Sequence, residues 1–344
     1  MTDTQTLAAK TPPTAGELIL DVQNLSVGFN GANGKVFAVN DLSFQVKAGE
    51  RLGIAGESGS GKSVTALALL GLLQGAEIEG SVSFRGQNLL ELPPAALRRI
   101  RGWDFSYIFQ DPLSAMDPVR TVGDQVSQVL RLRGISKKEA RERTIDMLDR
   151  VGIRNPEARF KDYPHQFSGG MRQRAMIAMA LIANPSLVVA DEPTTALDVR
   201  VQAQVIDLLY ELTEERGTAV VFITHDLSIM AGFAQRMMVM YAGRIVEAAT
   251  TDEIYYRSVH PYTLGLLNSL PRVSGDLATE LATIGGQPPA PSNIPPGCAF
   301  APRCRYALPE CSEAVPVLET PPGGTHPSRC IRSSWLAEQP GVLR

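Results

Sequence analysis

The chain has 344 residues, 44% of them apolar and 20% charged, with a formal charge of −3. That is the composition of a globular protein with room for two domains, and it lacks the basic footprint of a nucleic-acid binder. No apolar run approaches the roughly 18 residues that span a bilayer. Residues 1–16 are polar, with Lys10 and two prolines and no apolar signal core. The expectation is a cytosolic chain that reaches a membrane only through a partner.

Residues 1–16 read as a disordered tail. Leu18–Phe29 and Val36–Val46 alternate as strands about the turn-rich Asn30-Gly31-Ala32-Asn33-Gly34. Arg51–Ala55 is a short strand that enters a glycine-rich loop, and Lys62–Leu73 follows as an apolar helix. Phe105–Phe109 is another strand, ending at Gln110. From Thr121 to about Asn184 the pattern is helical, with Ser136 and Glu139 spaced as a capping box. Strand and helix then alternate: Leu187–Ala190, Val199–Arg216, Ala219–Thr224, Asp226–Ala234 and Arg236–Tyr241. This is the α/β pattern of a largely parallel sheet with a helical insert. Gly285–Gly297 is rich in Pro and Gly and leads into a loop-rich segment with few apolar residues. Such a segment is expected to need a clip to hold it.

Gly56-Glu57-Ser58-Gly59-Ser60-Gly61-Lys62-Ser63 fits G-x-x-x-x-G-K-[ST]. Glycines let backbone N–H groups turn inward around phosphate, Lys62 reaches the terminal phosphates, and the Ser63 hydroxyl ligates magnesium. Leu187–Ala190 ends in Asp191 and Glu192. Asp191 suits the magnesium shell and Glu192 a general base on the attacking water. On their own, two adjacent carboxylates after a strand also suit a solvated turn. His225, after the next strand, can contact the γ-phosphate, or be a structural histidine beside a capping Asp226. Gln110 can bind magnesium or the water, or be an ordinary strand-end glutamine. Phe29 is the choice for stacking on adenine, with Phe37 as its rival. Ser168-Gly169-Gly170 opens a helix whose N–H groups could meet phosphate.

In this order, the motifs from about Leu18 to Glu247 resemble the ATP-binding cassette of ABC transporters. The resemblance implies an α/β P-loop NTPase fold with a RecA-like core, an antiparallel β subdomain, a helical insert and a small loop-rich extension. Residues 17–270 would form the ATPase domain, with the insert at about 121–184, and residues 271–344 the extension. It makes Gly56–Ser63 the Walker A loop, Leu187–Asp191 Walker B and Gln110 the Q-loop glutamine. Ser168–Met171 becomes the signature, Ala196-Leu197-Asp198 the D-loop and His225 the switch histidine. In that family two cassettes pair head to tail, and the signature of one closes over ATP held by the other. Phe167 and Met171 depart from the usual LSGGQ, which spares the backbone contacts and removes a side-chain contact to the ribose.

Tyr163–Arg174, Phe109-Gln110-Asp111-Pro112, Ala190–Leu197 and His260-Pro261-Tyr262-Thr263 resemble the peptide and nickel importer branch. The resemblance implies ATP hydrolysis that drives oligopeptide import, with dipeptides or nickel as alternatives. The implied partners are a second, homologous ATPase forming a heterodimer, two permease subunits and, indirectly, an extracytoplasmic peptide-binding protein, with no nucleic acid. The implied location is the cytoplasmic face of the inner membrane, and the permease would dock around Gln110–Arg120. His260 and Tyr262 read as structural, a turn before a helix. A soluble ABC clamp on nucleic acid or ribosomes is a rival, although the chain has one cassette and no heptad run. A redox sensor is another, against which Glu192 and His225 stand intact.

All four cysteines lie near the C-terminus, as Cys298, Cys304, Cys311 and Cys330, spaced C-x5-C-x6-C-x18-C. A reduced compartment disfavours disulfides, and the absence of a C-x-x-C pair weighs against a zinc ribbon. Four thiolates suit a [4Fe–4S] cluster, which the resemblance also implies, with zinc second and free thiols third.

Overall fold

A computed structural model describes residues 13–14, 16–31, 34–195, 197–270 and 283–339. Most of the expected N-terminal tail, Ala196 of the expected D-loop and residues 271–282 of the expected extension lie outside the described residues.

The chain begins with β1 (Leu18–Gly31) and β2 (Gly34–Lys47). In β2, buried Leu42, Phe44 and Val46 alternate with exposed Asp41, Ser43, Gln45 and Lys47, the pattern of a strand with one wet face. β3 (Arg51–Ala55) is buried throughout and leads through the glycine-rich loop into α1 (Lys62–Leu69). The helix stops short of the expected Leu73. Gly71 takes φ +60°, its N–H donates to the Ala68 carbonyl at 2.9 Å and the Leu72 N–H to Leu67 at 2.9 Å. That pair of bonds is a Schellman stop.

Next come β4 (Ala76–Phe84), β5 (Gln87–Asn88), α2 (Pro94–Ile100), β6 (Phe105–Ile108) and α3 (Pro112–Ala115). The helical stretch resolves into α4 (Val122–Leu132), α5 (Lys137–Arg150), α6 (Pro156–Arg159) and α7 (Gly169–Leu181). Then follow β7 (Leu187–Asp191), α8 (Val199–Arg216), β8 (Ala219–Thr224), α9 (Leu227–Phe233), β9 (Arg236–Tyr241) and β10 (Arg244–Thr250). α10 (Thr251–Arg257), α11 (Pro261–Asn268) and a short α12 (Ser333–Ala337) complete the described helices. Polar caps set the starts: Thr121, Ser136, Ser168, Asp198 and Asp226 each accept a backbone N–H from the first turn.

Two compact units interleave along the chain, one made of Met1–Leu20, Val46–Glu50 and Glu91–Val221, the other of Asp21–Gln45, Arg51–Leu90 and Phe222–Arg344. In the first, β6 and β7 run parallel, from Phe105 opposite Leu187 to Ile108 opposite Ala190. Parallel pairing brings the carboxyl ends of both strands, and the residues that follow them, to one edge. Helices α4, α5 and α7 pack together. α4 buries Val122, Val126 and Leu130 on one stripe. At Gly123 an added Cβ would lie 2.2 Å from the Phe160 ring, so that crossing requires glycine.

In the second unit a four-stranded sheet runs β2-β1-β4-β5. β4 and β5 form a hairpin turned by Arg85 and Gly86, at φ +49° and +78°. β3 pairs in parallel with β9, and β9 pairs antiparallel with β10 about Ala242 and Gly243. The C-terminal extension lies along β10, where the Arg329 N–H donates to the Val246 carbonyl at 2.7 Å and the Ala248 N–H to Pro327 at 3.2 Å. Glu247 is 0% exposed. It accepts from the Ser258 hydroxyl at 2.7 Å, the Val259 N–H at 2.6 Å and His326 Nε2 at 2.9 Å. Leu336 joins Val259 and Leu264 in a small core. The extension is thus anchored on β10, on the Ser258-Val259 turn and on α11, beyond whatever clip its cysteines supply.

Candidate active site

The phosphate loop follows from its glycines. Gly56 has φ +153°, and a Cβ there would lie 2.3 Å from the Met240 carbonyl oxygen; Gly61 has φ +102°, and its Cβ would lie 2.6 Å from that of Ala38. A side chain at either position would collide with backbone, so the loop can press against β9 and β2 only as glycine. Lys62 is 4% exposed, and its Nζ donates to the carbonyls of Gly56 at 2.7 Å and Glu57 at 2.9 Å. Ser58 and Gly59 form the exposed tip, Ser63 is half-buried in the first turn of α1, and the buried Ser60 hydroxyl has no hydrogen-bond partner among the described residues.

Glu57 behaves differently from the rest of the loop. Its N–H donates to the Tyr262 hydroxyl at 2.8 Å. Its carboxylate accepts two bonds from the Arg303 guanidinium, at 2.7 and 2.9 Å. The Glu57 bonds raise the Arg303 pKa above its ordinary value. Neither Tyr262 nor Arg303 was assigned to this loop from sequence. His260, read as structural, caps α11 through Nδ1, which accepts the Tyr262 N–H at 3.1 Å. Burial lowers its pKa to about 4, so the ring is neutral and able to accept.

The carboxylates lie in the other unit. Asp191 ends β7 at 4% exposed and accepts from the Tyr107 hydroxyl at 2.9 Å. Burial, then the Asp191 charge, pushes the Tyr107 phenol well above its usual range, which keeps it a donor. Glu192 follows with φ +45°, a left-handed conformation uncommon outside glycine and frequent at functional turns. The structure brings the expected pair together: the Gln110 side-chain amide donates to the Glu192 carboxylate at 3.1 Å, and the Thr195 hydroxyl donates to it at 2.9 Å. Tyr107 and Thr195 are additions that no motif pointed to.

Ser168 accepts the Met171 N–H at 3.3 Å, and Ser168 and Gly169 are exposed at the start of α7. A Cβ on Gly170 would lie 3.1 Å from a Val201 methyl. Asp198 caps α8 by accepting the Val201 N–H at 3.0 Å, so the SGG turn and the start of α8 are neighbours. His225 is exposed at the end of β8, and Asp226 beside it caps α9, accepting the Ser228 N–H at 2.8 Å. Phe29 is half-buried at the end of β1. Its rival Phe37 lines a cavity with Pro295, Phe300 and Arg329 of the extension.

The four cysteines line one small cavity, with His260 and Phe300. Backbone N–H groups of Leu308 and Arg332 donate to the sulfurs of Cys311 and Cys330, each at 3.4 Å. Among the described residues no three His, Cys, Asp or Glu side chains converge tightly enough to hold a single metal ion.

With this geometry in view, residues 39–195 match the ABC transporter family and residues 246–311 match the oligopeptide/dipeptide transporter C-terminal region. An oligopeptide transport ATP-binding protein of Salmonella typhimurium is 50% identical over 90% of this chain and 93% of its own length. The Haemophilus influenzae protein of the same description is 49% identical over 93% of this chain and 98% of its own. A dimeric ATP-binding cassette solved in a post-hydrolysis state with ADP and phosphate has a TM-score of 0.62 at 28% identity. It covers 68% of this chain and 99% of its own. The chain belongs to the ATP-binding proteins of ABC transporters, and its fold is that of an ABC-type P-loop ATPase.

Proposed function

We propose that this chain hydrolyses ATP to drive oligopeptide import through a membrane ABC transporter. The observation that carries the reading is the Glu192 carboxylate held by Gln110 and Thr195, in a chain about half identical to oligopeptide transport ATP-binding proteins. Glu192 is the general base that takes a proton from the attacking water, and Gln110 orients it. Lys62 neutralises phosphate charge, the backbone of Gly56–Gly61 cradles the phosphates, and His225 contacts the γ-phosphate. Ser63, Gln110 and Asp191 each carry an oxygen of the kind magnesium prefers and are the residues that would hold that ion, which screens the phosphates when bound. Phe29 stacks on the adenine, a choice supported by the placement of Phe37 toward the extension.

The open start of α7 supports closure over ATP held by a second cassette, with Ser168, Gly169 and Gly170 facing its γ-phosphate and Asp198 at the paired face. The second cassette is a homologous subunit. Membrane attachment comes through two permease subunits on the cytoplasmic face, fed by an extracytoplasmic peptide-binding protein. No helix among the described residues is long and apolar enough to cross a membrane. A groove lined by Phe109, Val129, Leu132, Met176 and Met179 supports docking there.

A [4Fe–4S] cluster on the four cysteines is the favoured reading, with zinc as the alternative. All four line one cavity, and four thiolates are the ligand set of a cubane. The cluster would serve as a structural element of the extension.

The test is reconstitution with the permease subunits and binding protein in proteoliposomes loaded with ATP. Labelled oligopeptides should accumulate and E192Q should abolish uptake. Accumulation of nickel or dipeptides without oligopeptides would overturn the substrate assignment.

A further inference from the structure

Glu57 is the second residue of the phosphate loop, yet its side chain turns away from the loop and toward the C-terminal extension. Arg303, beside Cys304, meets it with both guanidinium NH groups, at 2.7 and 2.9 Å. The arginine is itself fixed. Its side chain is 5% exposed, Nε donates to the Gly285 carbonyl at 2.9 Å, and one NH group reaches the Tyr241 hydroxyl at 3.3 Å. Next to it Phe300 packs edge-on against Tyr241 and tilted against Tyr262, both at 5.3 Å between ring centroids. Glu57 is thus held at three points. Tyr262 takes its N–H, Arg303 its carboxylate, and its carbonyl receives the Lys62 ammonium at 2.9 Å.

We propose that Arg303 is a positioning residue of the ATP site, through which the C-terminal extension holds the phosphate loop in its nucleotide-binding shape. Two physical effects act together. The planar fork fixes the orientation of Glu57 and with it the carbonyl that anchors Lys62. It also neutralises a carboxylate that would otherwise repel the triphosphate from within the loop. The extension is then part of the ATPase and more than an appendix to it. The inference rests on ATP binding by this loop; a wild-type chain that failed to bind ATP would sink that premise, whereas the comparison of variants tests Arg303 alone.

The experiment measures equilibrium binding of a fluorescent ATP analogue to the full chain, together with KM and kcat, for R303Q, R303K, E57Q and the double variant. R303Q should weaken binding about tenfold and raise KM, with kcat little changed, as loss of a charge-assisted fork leaves the chemical step intact. Adding E57Q to R303Q should recover the part of the loss due to the unpaired charge, to within about threefold of wild type, because only the missing fork then remains. An arginine that only anchored the extension would not be rescued this way. If R303Q fails to fold, R303K carries the test, with an expected weakening of about threefold from loss of the fork. Wild-type affinity in the folded arginine variants, or a loss that E57Q leaves unrecovered, would overturn the proposal.

Discussion

The side-chain amide of Gln110 donates to the carboxylate of Glu192 across 3.1 Å. The two residues are far apart in sequence, and they meet because β6 and β7 are parallel neighbours that end at the same level, Ile108 opposite Ala190. Each residue lies two positions beyond its strand's paired end, so the sheet register sets the contact. Glu192→Gln should lower ATP turnover about 100- to 10,000-fold, the range for loss of a general base, while ATP binding persists. Steady-state hydrolysis and nucleotide binding measured side by side check this. Near-normal turnover would remove Glu192 from the chemistry.

Tyr107 supports Asp191 from the same edge. Tyr107→Phe deletes the hydroxyl that donates at 2.9 Å and leaves the buried carboxylate one bond short. A lost bond to a charged group costs about 1.5–3 kcal/mol. The expected outcome is a changed magnesium dependence of hydrolysis, with ATP binding in the absence of magnesium unaltered. A magnesium titration identical to wild type would show that the hydroxyl does not tune Asp191.

Permease docking is best tested at Leu132, which is 74% exposed at the rim of the groove. Asp111 is a poor probe, because its carboxylate caps α3 through the N–H groups of Leu113 and Ser114, and reversing its charge would unravel the turn next to Gln110. Leu132→Asp should leave hydrolysis by the isolated chain unchanged and reduce co-purification with the permease subunits. Undiminished co-purification would place the docking surface elsewhere.

Anaerobic purification should yield about four irons and four sulfides per chain, and Cys304→Ser should lower both. Burial raises the Cys330 thiol to about 12 and lifts Cys298 and Cys304 as well, so metal binding at these three must displace protons. The extension should stay docked in Cys304→Ser, since β10 and Glu247 hold it; protection from proteolysis reads this directly. Stoichiometric zinc without iron would replace the cluster with a zinc clip.

Glu247→Ala removes the common acceptor of Ser258, Val259 and His326. Three buried donors would lose their partner at once. The expected loss is about 3 kcal/mol, within the range for breaking a buried charged network, read from denaturant unfolding. Unchanged stability would mean that the extension contributes little to the folded state.

Elements with a strong local signal were legible in the sequence. The bounds of β3, α8, β8 and β9 match those read from alternation and helical spacing. α1 ended early because the stop at Gly71 rests on backbone bonds that periodicity does not report. β4, β5, β10, α10 and α12 were not assigned: β5 has two residues, and α12 five, too few for a period to show. Phe29 was the choice over Phe37 as the adenine partner, and the structure adds only that Phe37 lines a cavity beside the extension.

The phosphate loop, the Asp191-Glu192 step and the SGG turn were legible from residue types alone. Their chemistry depends on residue types at fixed short spacings, and glycine, lysine and carboxylate cannot be exchanged there. The pairing of Tyr107 with Asp191, and of Arg303 with Glu57 from 246 residues away, emerges with the folded chain. Such pairs carry no local signature, because they exist only once β7 lies against β6 and the extension has folded back along β10 and onto the loop after β3.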